Sequence, residues 1–253
     1  MSPEPPLESL PGVRAARERR GRLRLLLGVA ATTLLGILLW ESPLLLPLKL
    51  LTVLFHELGH ALAAIAMGGS AESISVNFLQ GGLTRFRLPD ALLPRMVVAS
   101  AGYLGSALSG AALLLLFGRE RRLLTPTRVI GALGLGLLVV AVLYLRDPTS
   151  WTITLPLALV LLGGARWLPD ELLRSLGIVL ATFVSLYALF DLRSDVLRLP
   201  WEEGPSQVTD AVALADLTHL PALFWAVLWT IAAIVLLLGT LGWLARSRNR
   251  TAP

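Results

Sequence analysis

Seven blocks of this chain, residues 25–40, 44–67, 96–117, 129–145, 151–165, 172–190 and 222–245, are predominantly apolar. Blocks of this length decide the solvent before they decide the fold. A helix needs about 20 apolar residues to cross a bilayer, and fewer where flanking arginines reach the interface. Inside hydrocarbon every backbone N–H and C=O must be paired within the protein, which leaves helices or closed barrels. The blocks show no sustained period-two alternation, so they read as helices. The fourth, fifth and sixth are short or interrupted by glycine, so six or seven cross the bilayer. Of the 253 residues, 55% are hydrophobic and 15% charged, against roughly 45–50% apolar in soluble domains. The expected fold class is an all-α polytopic membrane protein, integral and multi-pass.

The formal charge of +5 rests almost wholly on arginine, since Lys49 is the only lysine. These arginines lie mostly between the apolar blocks, where they flank a membrane. The lipid bilayer is therefore the partner implied by the basic balance, and nucleic acid is not. There is no cysteine, so disulfides and thiolate ligands are excluded and any metal rests on His, Asp or Glu. Residues 1–24 are rich in proline and then arginine, and are expected to form a disordered tail. Residues 25–245 form a single membrane domain and 246–253 a basic C-terminal tail. Six arginines precede Leu25, which places the N-terminus in the cytoplasm by the positive-inside rule. The basic segments near 118–128 and 246–250 leave the C-terminal orientation open.

The second block contains His56-Glu57-Leu58-Gly59-His60. On a helix, residues i and i+4 share one face about a turn apart, so both imidazoles can reach a single zinc ion. Glu57 points to the adjacent side, where it can take a proton from a metal-activated water and return it to a leaving amine. The plainer account is polar side chains pairing across helices. Three ionisable groups at ligand-plus-base spacing exceed what packing requires, and such groups are expensive within a membrane. The expected cofactor is Zn2+, with His56 and His60 as ligands and Glu57 as the catalytic residue. Gly59 leaves room for another backbone to approach.

A His-Glu-x-x-His motif inside a helix that is apolar on nearly every face resembles the site-2 protease family of intramembrane zinc metallopeptidases, most closely its compact bacterial branch without a PDZ domain. The resemblance runs from about Leu44 to Trp243. It implies a prokaryotic cell membrane, membrane-anchored protein substrates, and peptide-bond hydrolysis in or near transmembrane segments. It also gives meaning to residues 71–88, where Ile74, Val76 and Phe78 alternate with polar neighbours, Gln80-Gly81-Gly82 supplies a turn, and Thr84, Phe86 and Leu88 alternate again. This is a short membrane-associated β-hairpin after the zinc helix, whose edge could pair with an unwound substrate.

In the third block, Gly102, Ser106 and Gly110 recur every four residues, a small-residue seam for close helix packing. Relatives show Ala-Gly-Pro-x-x-Asn here, whereas this chain has Ala101-Gly102-Tyr103 and Ser106. A catalytic zinc takes three protein ligands, and in relatives the third is the aspartate of a Leu-Asp-Gly motif. The best match is Asp191, followed by Leu192 instead of glycine. Asp195 ranks next, and Asp210 third. A polar connection over about 196–220 is expected to include a short amphipathic helix near Asp210, with Val212, Leu214 and Leu217 partly on one side. His219 stands there as a lone histidine, most simply interfacial.

The reading is an intramembrane zinc metalloprotease of site-2 type. Two alternatives follow from the residues: a non-proteolytic membrane scaffold that keeps the metal, favoured by the departures at Tyr103, Ser106 and Leu192, and a small-solute or metal-ion transporter. The latter would show internal repeats with paired broken helices, and none is found. The oligomeric state is not written in the chain.

Overall fold

The computed structural model describes residues 11–119, 123–190 and 209–247. Helix α1 (Pro11–Leu38) begins well inside the stretch expected to be disordered. The reason is local: Ala15-Ala16-Arg17-Glu18-Arg19-Arg20 consists of strong helix formers, so the helix continues beyond its apolar part. A 3₁₀ turn (Pro43–Leu45), capped by Ser42, leads into α2 (Leu46–Ala66). The hairpin follows as β1 (Ser70–Val76) and β2 (Gly82–Arg87), and then α3 (Leu92–Phe117), α4 (Pro126–Tyr144), α5 (Pro148–Trp167) and α6 (Asp170–Ser185). Beyond 191–208 come α7 (Asp210–Thr218) and α8 (Ala222–Ser247).

Among the described residues six helices are long and apolar enough to cross a membrane: α1 over Arg19–Leu38, α2 with its 3₁₀ lead-in, α3, α4, α5, and α8 to Arg246. Their outward faces carry exposed Leu135, Val139, Val160, Val235 and Leu238, as lipid contact requires. This is an integral membrane protein. The block at 172–190 differs from the others, because α6 has only 16 residues and hides most of its second half, including Leu180, Ala181, Phe183 and Val184. It is a core helix. Gly110 of α3 lies against Ser185, and Gly177 against Phe117, at distances where an added Cβ would come within 2.3 and 2.5 Å. Trp40 stacks on Phe183 and Phe190 at 5.9 and 5.4 Å between ring centroids, closing α1 onto the same core.

The seam on α3 serves two partners. Its Gly110 end admits α6, while its Gly102 end faces α2. There, a Cβ on Gly59 would lie 2.3 Å from the Ala101 carbonyl oxygen, so the α2 and α3 backbones touch. Small residues permit that approach, which side-chain packing in lipid rewards through dispersion alone.

In the hairpin Ile74 pairs with Thr84 and Val76 with Gly82, and Ile74, Val76 and Thr84 are buried on one face. The turn lies at 77–81. Asn77 Oδ1 accepts from the Leu79 and Gly81 amides at 2.9 and 3.2 Å, and Gln80 takes the left-handed conformation at φ 67°. The local side-chain bonds supply what a glycine at that position would otherwise provide. Phe78 therefore points away from the buried face and is half exposed, contrary to simple alternation. The outer edge of β1 is covered: Ile74 bridges to Leu145, and Ser150 Oγ accepts from the Val76 amide at 2.8 Å. Asp147 caps α5 through Ser150. Among the described residues no strand pairs with the other edge of β2.

Candidate metal centre

His56, Glu57 and His60 are buried at 8, 5 and 6% exposure in the middle of α2. Helical spacing brings the two imidazoles together, with Nε2 to Nε2 at 3.0 Å. Asp210, the first residue of α7, completes a triangle: its Oδ2 is 3.0 Å from His56 Nε2 and 3.1 Å from His60 Nε2. The preferred third ligand, Asp191, and the next, Asp195, lie outside the described residues. Among the described residues it is Asp210 that meets both histidines, so the order of candidates is revised in its favour. His219 stays away from the metal centre and ends α7 in a left-handed C-cap at φ 61°.

The chemistry of this donor set can be tested for a cation. His60 Nδ1 lies 2.7 Å from the Val98 carbonyl oxygen, which can only accept, so Nδ1 carries the hydrogen and the neutral ring leaves Nε2 bare. That lone pair faces a carboxylate oxygen and a second imidazole nitrogen. A cation between these three atoms would satisfy that lone pair and the carboxylate together. Among the described residues Asp210 Oδ2 and His56 Nδ1 have no hydrogen-bond partner. A tetrahedral zinc with bonds of about 2.0–2.1 Å separates its ligand atoms by about 3.3 Å, close to the 3.0–3.1 Å found. The residues fit the metal. The Asp210 carboxylate, which faces both imidazole nitrogens, would supply negative charge to such a cation. The site favours an anion beside a cation.

Helix α3 makes room for this centre. A Cβ on Gly102 would fall 2.3 Å from His56 Nε2 and 2.5 Å from His60 Nε2, so any larger residue would collide with the metal-facing nitrogens. Tyr103 turns its ring edge-on to His56 at 4.7 Å and stacks on Trp229 and Tyr187. Tyr187 also meets His56 edge-on at 5.4 Å. An aromatic wall thus stands at the position where the family pattern has proline. Ser106 is buried at 1%, its hydroxyl has no hydrogen-bond partner among the described residues, and it does not line the cleft.

On the opposite side, β2 closes over Glu57. Thr84 Oγ1 lies 2.7 Å from Glu57 Oε2 and 2.9 Å from the Glu57 main-chain oxygen. A Cβ on Gly82 would sit 2.2 Å from Glu57 Oε1. Both contacts escaped the sequence reading. The one available signal was that Thr84 is the polar member of the alternating set Thr84, Phe86 and Leu88. A cleft of about 1210 Å³, lined in part by His56, Glu57, His60, Thr84, Tyr187 and Asp210, opens onto these groups.

The family model described as Peptidase M50B-like matches residues 29–240 of the chain. The chain belongs to this family, which is the site-2 protease family. Neither the curated proteins nor the solved structures include a match. The match spans α2, the hairpin, α3 and α7, so every residue of the metal centre lies within it. Peptidases of this family are in general zinc-dependent, in keeping with the donor set.

Proposed function

We propose that this M50B-like protein is an intramembrane zinc metalloprotease of site-2 type, hydrolysing peptide bonds in or near transmembrane segments of membrane-anchored proteins. The observation that carries the proposal is the convergence of His56, His60 and Asp210 on one point, with Glu57 beside it and a cleft in front. His56, His60 and Asp210 would hold the zinc. Bound there, zinc supplies Lewis acidity that polarises a carbonyl and acidifies water.

The protein's own groups do the rest. Glu57 accepts the proton of the attacking water and delivers it to the leaving amine. Tyr103, Tyr187 and Trp229 wall off His56 and keep bulk water from that side. A peptide bond within a helix is shielded, so the substrate must unwind, and the open edge of β2 offers backbone partners to an extended segment. The arginine-rich start of α1 supports a cytoplasmic N-terminus, and resemblance to compact bacterial relatives supports a prokaryotic membrane.

The test is a comparison of wild type with Glu57→Gln, which is nearly isosteric and cannot accept the proton. Both proteins are purified, matched for zinc content and thermal stability, and reconstituted with a membrane-anchored substrate library read by mass spectrometry. Wild type should generate fragments ending within or beside spanning segments, and Glu57→Gln should slow them by at least about 10²-fold. Identical fragment patterns from the two proteins would leave a metal-bearing scaffold as the better reading.

A further inference from the structure

We infer that Thr84 is a positioning residue for the Glu57 carboxylate: it fixes Oε2, and so leaves Oε1 as the oxygen that carries the proton. The inference deepens the proteolytic reading above and rests on Glu57 acting as proton carrier. Two independent contacts support it, both made by β2. Thr84 Oγ1 reaches Oε2 at 2.7 Å, and Gly82 lies so close to Oε1 that a Cβ there would be 2.2 Å away. The two carboxylate oxygens therefore have different surroundings. One faces a buried hydroxyl; the other lies against a glycine that lines the cleft with it.

The chemistry of a hydroxyl suits this task. Thr84 has one proton and two acceptors within reach, the Glu57 main-chain oxygen at 2.9 Å and Oε2 at 2.7 Å. The main-chain oxygen lies inside α2, where the helical ladder already supplies a donor, while a buried carboxylate oxygen left without one is expensive. The charge-assisted bond to Oε2 is the shorter, as such bonds are. When Glu57 takes up a proton, Oε2 can still accept from Thr84 as the carbonyl oxygen of the acid, so the clamp survives both protonation states. A lysine in its place would add a positive charge and so favour the anion. The proton then resides on Oε1, which faces the cleft and the leaving amine.

Pinning one oxygen also fixes the side chain's torsions. A glutamate has three rotatable bonds, and loss of the clamp would let the carboxylate swing away from the attacking water. Removing outer-shell partners of this kind typically lowers activity by about 10–100-fold.

The experiment uses the full chain in proteoliposomes, with Thr84→Val, which keeps the shape and removes the hydroxyl, and Thr84→Ser, which keeps the hydroxyl. Each is also combined with Glu57→Gln. Zinc content and melting temperature should match wild type for both single variants. With a cleaved substrate, Thr84→Val should lower kcat by about 10–100-fold with KM within about twofold, and Thr84→Ser should recover to within about threefold. On the Glu57→Gln background Thr84→Val should add nothing, because the two residues act as a unit. An arm independent of activity is the infrared difference spectrum of Thr84→Val against wild type. It should show a displaced carboxylate band that disappears when both proteins carry Glu57→Gln. Wild-type kcat in Thr84→Val, additive losses in the double variant, or an undisplaced Glu57 band would each overturn the inference. If zinc-loaded wild type cleaves no substrate, the proteolytic reading falls, and the infrared arm still decides whether Thr84 holds the carboxylate.

Discussion

Replacing Asp210 probes the metal centre most directly, because this aspartate comes from a different part of the chain from the two histidines it meets. Its Oδ2 is nearly equidistant from the imidazole nitrogens, at 3.0 and 3.1 Å, so Asp210→Ala removes one vertex of a three-ligand set. Glu57, whose carboxylate lies within 4.8 Å of the ligand nitrogens of both histidines, is engaged by Thr84 at Oε2. Zinc held by a full structural ligand set is bound by about 10–16 kcal/mol. One ligand of three is then worth on the order of 3–5 kcal/mol, or about 10²–10⁴-fold in affinity. Competition titration against a chromophoric chelator, in detergent at pH 7, measures this directly. Asp210→Ala should fall in that range and Asp210→Asn, which keeps a neutral oxygen, between it and wild type. Asp216→Ala is the control, six residues along and exposed on the same short helix. Retention of zinc by Asp210→Ala within about twofold of wild type would refute the argument, and the more so if Asp191→Ala alone released it.

Two further outcomes follow from the geometry. Gly102→Ala places a methyl within 2.3 Å of His56 Nε2 and 2.5 Å of His60 Nε2; it should weaken zinc by at least about 10-fold while the helix, which favours alanine, stays formed, as chelator titration and circular dichroism would show. Asp147→Ala removes the α5 cap and should lower stability by about 1 kcal/mol at pH 7. Burial raises the Asp147 carboxyl, but hydrogen bonds from Ser150 and Ser75 outweigh it and leave it below its ordinary 3.8. The capping contribution is therefore complete above that value and is lost as pH falls through the depressed one. The difference in melting temperature between wild type and Asp147→Ala should narrow with acidification below 3.8; a difference that persists or widens would contradict the capping account.

The architecture was legible wherever one physical rule dominated. Long apolar blocks mark helices because lipid permits little else, and the alternation of Ile74, Val76 and Thr84 marks a hairpin because a strand sorts its side chains by face. The i, i+4 histidines were legible because a helix fixes their geometry. Asp191 ranked first as third ligand on its likeness to a Leu-Asp-Gly motif at the end of an apolar block, and it lies outside the described residues. Asp210 sits in a polar connection, and no local pattern records that α7 packs on α3 and so brings Asp210 to the histidines of α2. The cue that existed was Thr209-Asp210 ahead of an apolar run, a helix start with its carboxylate in the first turn. The early start of α1 was missed for a related reason, since proline and arginine content suggested disorder while helix propensity favoured continuation.

In the proposed reading the two carboxylates at this centre take different roles because they have different partners. Asp210 Oδ2 faces two imidazole nitrogens, one of them bare because His60 gives its hydrogen to Val98. Such an oxygen is stable only as an anion beside a positive charge, which is the condition of a ligand. Its position in the first turn of α7 adds the positive end of a helix dipole to the same preference. Glu57 Oε2 instead faces a threonine hydroxyl, which serves the carboxylate and the acid alike. A group proposed to gain and lose a proton in each turnover needs a partner that can bond to both forms, and the neutral Thr84 hydroxyl is one. Exchanging the partners should exchange the roles: Thr84→Lys would hold Glu57 as a permanent anion, so zinc should remain bound while proton transfer fails. A Thr84→Lys protein with wild-type kcat and zinc content would show that the partner's neutrality has no bearing on the role of Glu57.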